Sequence, residues 1–517
     1  MNFNQEKLLD LRERKNKILQ MGGPENIDKQ HSRGKLTARE RIDCLFDKNT
    51  FLETDALVRH RCTLFGMEGK EIPAEGVICG SGKISGRNAF VGAEDFTVVG
   101  GTFSEMHGKK FCKTIDAAAK CGVPFLQIID SGGLRLQEGQ DASEAYALLF
   151  RRHTLYSGVI PQITLLLGSC GGGAAYGPAL SDFIIMVKGI SRMYMGGPAF
   201  VKTMLGEVKT EEELGGTCIH GGITGLCDFV AKDDKEAIEI AKDILSYLPS
   251  NNREQPPVVD IGDDPNRLNK GILDILPEGS KSPFNMFKII HEIVDNGQFL
   301  EVKANFGRNM ITGFARLNGQ SVGILANNSQ FMGGVIDVNA AVKHARFARI
   351  CDAYNVPIIH LQDATAVMIG QAEEKRAIIK HGSKMLQAIT EATVPKITII
   401  IRNSYAGAQI CMANIPIGAD FVFAWPTAEI TSVGPDTAAS IIFAKEIAKA
   451  SNPDEFRAQR IEEYTRLFIN PYVAAERAYI DDVIEPEQTR PILINALQLL
   501  ENKVDERPWK KHGIVQL

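Results

Sequence analysis

The feature that most constrains the fold of this chain is an internal repeat, because its two halves match at an offset near 233 residues. The matches fall at strand ends and turns, and they keep the same order in both halves. The matched pairs are Gly100-Gly101 with Gly333-Gly334, Asp130 with Asp363, residues 160–164 with 394–398, residues 171–174 with 405–408, and Gly196-Gly197-Pro198 with Val433-Gly434-Pro435. The chain is therefore predicted to contain two homologous domains.

Within each half, short apolar runs alternate with glycine turns and helical segments, a pattern typical of α/β domains. Residues 248–285 interrupt this pattern with a stretch rich in Pro, Asn, Asp, Gly and Ser. We predict an N-terminal domain over residues 1–255, a linker over residues 256–284 and a C-terminal domain over residues 285–517.

A cluster of small residues follows the apolar run 163–167, and Gly171, Gly172 and Gly173 stand in succession there. Glycine leaves the amide N–H groups uncovered, and the first N–H groups of a helix have no partner within it. Such a turn can therefore form an oxyanion hole, while a tight strand-to-helix turn is the structural alternative. The second turn, at residues 405–408, favours two backbone binding sites, one for each of two carbonyl oxygens. The alternative is that both repeats inherited the turn simply as part of their architecture.

Composition excludes several classes of protein. The 517 residues are 44% hydrophobic and 23% charged, and the formal net charge is −5, so no basic face for nucleic acid is expected. No apolar run approaches the roughly 20 residues of a membrane helix, and the first twenty residues are too charged for a signal peptide. The ten scattered cysteines predict reduced thiols, no metal site and a cytoplasmic location.

Two N-terminal segments are predicted to form peripheral helices. Residues 3–20 have an exposed amphipathic pattern, and Thr37 with Glu40 forms a capping-box pattern. The basic residues of segment 32–42 are interpreted as a solvated helix face, in preference to a phosphate site.

Together these motifs make the chain resemble the carboxyltransferase subunits of biotin-dependent acyl-CoA carboxylases and decarboxylases. The resemblance covers nearly the whole chain, and it is carried by residues 33–42, 94–97, 130–139, 168–187, 196–198, 213–216, 345–349, 380–382, 394–407 and 424–426. It implies two tandem crotonase-like (ClpP/crotonase) ββα-superhelix domains of the α/β class. It also implies a homo-oligomer built from dimers, usually a hexamer, with active sites between the N domain of one subunit and the C domain of another.

The resemblance also assigns roles to the two turns. Gly172 and Gly173 would hold the thioester carbonyl of an acyl-CoA as it becomes an enolate, and Gly407 and Ala408 would hold the ureido oxygen of biotin. The remaining substrate-binding candidates are Gly132, Gly133, Arg135, Cys170, Gly171 and Ile410, and the biotin-side candidates are Ala364, Thr365, Ala366, Val367 and Tyr405.

Some of these candidates have structural alternatives. Arg135 and Glu138 could equally form an interface salt bridge, and the small size of Cys170 explains it better than nucleophilicity. Residues 363–367 depart from the Asp-Val-Pro-Gly-Phe often found in the family, since Ala366 and Val367 replace Gly and Phe. Ile410 suits an aliphatic acyl group, but the acyl group itself stays open, from propionyl or methylmalonyl to branched or unsaturated chains.

The implied reaction needs partners. The sequence contains no Ala-Met-Lys-Met biotinylation motif and no ATP-binding domain. Biotin would therefore arrive on a separate biotin carboxyl carrier protein, together with a biotin carboxylase subunit or a membrane decarboxylase subunit. A decarboxylase partner would bring the protein to the inner face of the membrane. The competing functions are a biotin-independent acyl-CoA hydratase or isomerase of the crotonase type, and a scaffold subunit without activity.

Overall fold

The computed structural model describes residues 2–279 and 282–515. The chain divides into two compact units, of which the first ends at Glu254 and the second begins at Gln255. Ile272 and Phe284, which fall in the predicted linker, are buried in the core of the second unit. The assignment of one unit to acyl-CoA and the other to biotin stays a prediction.

The first unit is built on a sheet of order β1-β2-β3-β4-β5-β7-β9, in which β3 to β9 run parallel. Its strands are β1 Leu52–Thr54, β2 Val77–Ile84, β3 Arg87–Glu94, β4 Phe125–Ile129, β5 Gln162–Leu166, β6 Ser169–Gly171, β7 Phe183–Val187, β8 Arg192–Tyr194 and β9 Phe229–Ala231. Its helices are α1 Phe3–Leu19, α2 Pro24–Ser32, α3 Ala38–Leu45, α4 Glu105–Cys121, α5 Gln140–Tyr156, α6 Tyr176–Ala179, α7 Pro198–Leu205, α8 Glu211–Gly215 and α9 Asp234–Tyr247.

The second unit repeats this order as β10-β11-β12-β13-β14-β15-β17, with β16 paired to β14. Its strands are β10 Phe299–Glu301, β11 Met310–Leu317, β12 Gln320–Asn327, β13 Ile358–Ala364, β14 Lys396–Tyr405, β15 Phe421–Ala424, β16 Glu429–Thr431 and β17 Asp482–Val483. Its helices are α10 Met286–Ile293, α11 Val338–Ala353, α12 Gln371–Lys375, α13 Ile378–Glu391, α14 Ala406–Cys411, α15 Pro435–Ile442, α16 Ala444–Lys449, α17 Pro453–Phe468, α18 Pro471–Ala475 and α19 Thr489–Leu499.

Strand register confirms the repeat. Phe125 pairs with Gln162 in the first unit, and Ile358 pairs with Lys396 at the equivalent place in the second. These central strands are buried apart from Tyr405 at the end of β14, because helices cover parallel sheets on both faces. In both units the strands end where the two predicted turns begin.

The N-terminal predictions are partly correct. Helix α1 forms and none of its residues is buried, and the capping box of Thr37 and Glu40 starts α3. The interpretation of segment 32–42 as a solvated face is wrong for Lys35, which is 7% exposed, and for Arg41, which is fully buried, while Arg33 is exposed. Both cations pair with a buried carboxylate, which compensates them for the lost hydration.

Candidate functional site

The turn of the first unit lies at the end of β6. Gly172 has a φ of +67°, and a short 3-10 helix, Gly172–Ala175, follows directly. Gly173 is exposed, and a Cβ placed on it would meet no atom within 4 Å. The N–H groups that begin a helix have no acceptor within it. The turn therefore presents backbone donors next to open space.

The turn of the second unit has the same construction. Strand β14 ends at Tyr405, and α14 begins at Ala406, whose φ is +51°. Gly407 is exposed, while Ala408 is fully buried. Here too, the first amides of a helix are presented where the side chains are smallest.

Pairing with the neighbouring strand fixes the register between the two turns. Gly171 pairs with Tyr194, and Tyr405 pairs with Thr431, so Tyr405 is the counterpart of Gly171. The counterparts of Gly172 and Gly173 are then Ala406 and Gly407. The catalytic pair predicted for the second unit, Gly407 and Ala408, is displaced by one residue from the pair predicted for the first, and its role stays a prediction.

A second loop borders the turn in the first unit. The N–H of Phe103 donates to the carbonyl oxygen of Gly133 at 2.8 Å, and the N–H of Arg135 donates to that of Phe103 at 2.8 Å. A Cβ placed on Gly133 would lie 3.3 Å from the carbonyl oxygen of Gly171. The structure thus brings Gly133 to the turn, with the exposed Gly132 next to it, and the substrate-binding role of both stays a prediction.

Residues 363–367, which depart from the family pattern, form the equivalent loop of the second unit. The N–H of Ile336 donates to the carbonyl oxygen of Ala366 at 3.0 Å, and the N–H of Met368 donates to that of Ile336 at 2.8 Å. A Cβ on Gly407 would lie 3.9 Å from Cγ2 of Val367. The altered residues therefore keep the backbone pairing and place Val367 beside the turn. In the same loop, Ala364 is fully buried and Thr365 is partly exposed.

A buried carboxylate stands beneath each turn. In the first unit, Asp130 accepts from Nζ of Lys35 at 2.7 Å and from Nη1 of Arg41 at 3.0 Å. Burial lowers the pKa of Lys35, against the opposing effect of Asp130. Arg41 also donates to the carbonyl oxygen of Leu167, next to the turn, at 2.9 Å. These cations tie the N-terminal segment to the turn, and the sequence analysis missed them.

In the second unit the cation comes from the turn strand itself. Asp363 accepts from Nε and Nη2 of Arg402 at 3.2 and 3.0 Å, and from Nδ2 of Asn403 at 2.7 Å. The ring of Phe284 lies 4.8 Å from the guanidinium. Such a bidentate pair fixes the end of β14 just before the turn.

Two predicted substrate contacts have buried side chains. The guanidinium of Arg135 is 1% exposed and pairs with Glu75 and, at 3.1 Å, with Glu138. Arg135 therefore forms a salt bridge with acids of its own unit, and the predicted interface salt bridge is not shown. Cys170 is fully buried, and burial raises the pKa of its thiol well above the usual value, which disfavours a nucleophile. Both side chains therefore lie inside the first unit and not on its surface.

Two further candidates line the second turn. The hydroxyl of Tyr405 donates to Oε2 of Glu429, and burial together with this contact raises the pKa of Tyr405. Ile410 is 39% exposed on α14, three residues past Gly407.

Within residues 2–279 and 282–515 no group of His, Cys, Asp and Glu side chains could hold a metal ion. No helix in those residues is long and apolar enough to cross a membrane.

Two α/β units, each with a small-residue turn that opens a helix at the end of a parallel strand, define a crotonase-like protein with two candidate oxyanion sites. The sequence matches the carboxyl transferase domain family over residues 29–515. The chain therefore belongs to the carboxyl transferase family, as its motifs predicted.

Individual relatives support this family assignment. The chain is 46% identical over 517 residues to the methylmalonyl-CoA decarboxylase subunit alpha of Propionigenium modestum, with 100% of both chains covered. It is 43% identical over 513 residues to the propionyl-CoA carboxylase carboxyltransferase subunit of Haloferax mediterranei, with 99% of each covered. The structure matches the transcarboxylase 12S hexamer, crystallised with methylmalonyl-CoA and methylmalonic acid bound, with a TM-score of 0.97 and 44% identity over 100% of this chain and 99% of that one. This match confirms the crotonase-like fold.

Proposed function

We propose that this protein is a carboxyltransferase that moves a carboxyl group between biotin on a separate carrier protein and the α-carbon of a short acyl-CoA. The observation that carries the proposal is the pair of equivalent turns, each presenting helix-start amides beside Gly173 or Gly407. The relatives named above act on methylmalonyl-CoA and propionyl-CoA, and we propose the same substrates here.

The first turn suits the thioester. When a proton leaves the α-carbon, negative charge develops on the thioester oxygen, and fixed N–H donors stabilise that charge without reorganising. Gly172 and Gly173 supply such donors, and the missing side chain of Gly173 leaves room for the carbonyl to approach. Asp130 lies buried near this turn, and Arg41 links it to the carbonyl oxygen of Leu167.

The second turn suits biotin for the same reasons. Gly407 is exposed, and a Cβ there would find its nearest neighbour at 3.9 Å, so the backbone can be approached closely. When bound, the biotin of the carrier would give or accept the carboxyl group, and in the carboxylating direction it would also supply the base that takes the α-proton. The amides of Ala406, Gly407 and Ala408 orient the ureido oxygen, and Val367 and Tyr405 border the site. No side chain of this chain then needs to act as the base.

A hydratase or isomerase needs a carboxylate poised over one turn. Near the first turn, Asp130 pairs with Lys35 and Arg41, and Glu138 pairs with Arg135. Glu94 is buried and accepts from the backbone N–H of Asp130. Near the second turn, Asp363 pairs with Arg402, and Glu429 accepts from the hydroxyl of Tyr405. This geometry favours the carboxyltransferase. The scaffold alternative loses its main support, because residues 364–367 keep the backbone pairing of the first unit.

We further propose a hexamer, as in the 12S structure, in which each active site combines the first unit of one subunit with the second unit of another. A biotin carboxyl carrier protein and a decarboxylase or biotin carboxylase subunit complete the complex. The identity with decarboxylase subunits favours a decarboxylase partner.

The test is carboxyl exchange by the purified full-length protein. Methylmalonyl-CoA labelled in its free carboxyl group is incubated with a biotinylated carrier domain, and label on the carrier and propionyl-CoA are measured together. We expect both to appear in equal amounts, with the unbiotinylated carrier as the control. Absence of transfer from methylmalonyl-CoA and from every other carboxylated acyl-CoA tried would overturn the proposal. Hydration of an enoyl-CoA without biotin would favour the alternative enzyme.

A further inference from the structure

Residues 503–515, the C-terminal tail, form no helix or strand, yet they are held against the second unit. Nζ of Lys503 donates to the carbonyl oxygen of Val394 at 3.1 Å and to Oδ2 of Asp420 at 2.8 Å. Val394 lies two residues before β14, and Asp420 directly precedes β15, which runs parallel to β14. The tail therefore starts at the amino end of these two strands.

The rest of the tail runs along the end of α13. Nη2 of Arg507 donates to the carbonyl oxygen of Ala392, directly after the last residue of this helix, at 3.2 Å. The carbonyl oxygen of Ile514 accepts from Nε2 of Gln387, within the helix, at 2.9 Å. Polar groups of the tail thus make each of these contacts.

The large apolar side chains of the tail face outward. Val504 is 83% exposed, and Trp509 and Ile514 are each 87% exposed, whereas the other tryptophan, Trp425, is fully buried. An exposed tryptophan presents about 200 Å² of mostly apolar surface to water. The usual arrangement of apolar groups inside and polar groups outside is therefore reversed along this segment.

Such a segment gains little from its own order. Fixing the backbone of a residue costs at least as much free energy as one hydrogen bond returns on balance. Among the described residues, the tail makes fewer hydrogen bonds to the second unit than it has residues, and none of residues 501–515 is buried. Its fixed conformation therefore indicates a further surface that covers Trp509.

The charges of the tail favour a protein as that surface. Residues 501–515 carry four cations and three carboxylates. Three of the cations already have partners, which are Asp420 for Lys503, Asp505 for Arg507 and Glu391 for Lys510. An anionic membrane or a nucleic acid attracts segments with a large excess of cations, which the tail lacks. A tryptophan within a polar rim of both signs is typical of a contact between proteins.

The tail lies far from the second turn. β14 has ten residues and so spans about 30 Å, with the tail at its amino end and the turn after Tyr405 at its carboxyl end. A group bound at the turn therefore does not reach the tail. In the hexamer proposed above, the turns lie at active sites shared by two subunits, so the tail remains available to join one such pair of subunits to the next.

We propose that the tail joins dimers of this chain into the hexamer, with Trp509 as the anchor that a second copy covers. This inference rests on the proposed hexamer, and it assigns the contact between dimers to named residues. Each dimer keeps complete active sites, so loss of this contact should change the assembly and leave the chemistry unchanged.

Sedimentation velocity of the full-length protein over a dilution series tests this contact. The unmodified protein should sediment as a hexamer. For Trp509→Ala, the concentration at which hexamers separate into dimers should rise about 30-fold or more, as expected when an anchoring tryptophan is removed. Trp509→Phe is the matched control, because it keeps most of the apolar ring, and it should remain a hexamer at the same concentrations. Both variants should keep the kcat of carboxyl exchange per chain.

Quenching of tryptophan fluorescence by acrylamide measures the covering of Trp509 directly. In the unmodified hexamer both tryptophans should be protected, Trp425 by the core of its own unit and Trp509 by the neighbouring copy. Dilution into dimers should make Trp509 accessible to the quencher while Trp425 stays protected.

The results that would overturn the proposal are distinct from one another. If the unmodified protein and Trp509→Ala are hexamers at every dilution, the tail does not join dimers, and the proposed hexamer stands. If the unmodified protein sediments as a dimer, the hexamer is overturned as well. Separation of Trp509→Ala into inactive monomers would place the tail inside the dimer. Binding to phosphatidylglycerol vesicles that Trp509→Ala abolishes would assign the tail to a membrane instead.

Discussion

A Cβ placed on Gly168 would lie 1.9 Å from Oδ1 of Asp130, so the two residues fit together only because position 168 has no side chain. Asp130 cannot move aside, since Lys35, Arg41 and Gln30 all donate to it. At the equivalent place in the second unit, Arg402 reaches Asp363 directly. In the first unit this position is Gly168, and the cations that pair with Asp130 come from the N-terminal segment. In the second unit it is Arg402, which itself supplies the cation for Asp363.

Gly168→Ala is therefore expected to destabilise the first unit by about 3 kcal/mol, because the methyl group must displace a buried ion pair. Urea unfolding followed by circular dichroism measures the loss. Gly222→Ala is the control in the same unit, since a Cβ there meets no atom within 4 Å. That control should stay within about 0.5 kcal/mol of the unmodified protein. Equal stability of the two variants would contradict the packing described here.

Gly173→Pro tests the oxyanion role of the first turn. The φ of Gly173 is not positive, and proline is tolerated in the first turn of a helix, so the variant should fold while losing one N–H donor. We expect kcat for carboxyl transfer to fall about 100- to 1,000-fold.

Gly173→Ala separates donor loss from crowding. It keeps the N–H and adds a methyl group in open space, so it should raise KM more than it lowers kcat. A folded Gly173→Pro enzyme with unchanged kcat would remove Gly173 from the oxyanion site.

The repeat made much of this architecture predictable. Matching glycines and aspartates located both turns and Asp363, because strand ends recur at a constant offset. The repeat also set the register of the turns, because it matched residues 171–174 with residues 405–408. The pair Gly407 and Ala408 came instead from the family resemblance, and strand pairing shows that it is displaced by one residue from that register. The Lys35 and Arg41 pairs could not be predicted, because 95 and 89 residues separate them from Asp130. Long-range contacts of this kind leave no local pattern.

The two turns carry different residues at the position of positive φ, Gly172 and Ala406. Exchanging glycine and alanine between them should change stability in opposite directions. A left-handed alanine costs about 1 kcal/mol relative to an unstrained one, so Gly172→Ala should destabilise the protein by about that amount. Ala406→Gly relieves the same strain, and stability should stay level or rise by up to about 1 kcal/mol. Unfolding in urea gives both values. Destabilisation by Ala406→Gly that matches the loss from Gly172→Ala would argue against equivalent turn geometry.

Two buried histidines make the second unit sensitive to acid. Nε2 of His344 and Nε2 of His360 lie 3.2 Å apart, both rings are fully buried, and neither Nδ1 has a partner among the described residues. Burial lowers the pKa of His344 to about 3 and the pKa of His360 well below 6.5. The folded protein therefore binds fewer protons than the unfolded chain. The free energy of unfolding is therefore unaffected by the two histidines above about pH 6.5. Below that pH it falls, by about 2 kcal/mol for each histidine at pH 5.

The first unit supplies the control for this acid sensitivity. By strand register Gln127 stands where His360 stands, and the repeat offset places Phe111 at the position of His344. The double variant His344→Phe and His360→Gln should therefore lose about 4 kcal/mol less than the unmodified protein between pH 7.5 and pH 5. If the double variant keeps the full slope, the acid sensitivity comes from the other buried histidines, His107 and His153, whose pKa values burial also lowers.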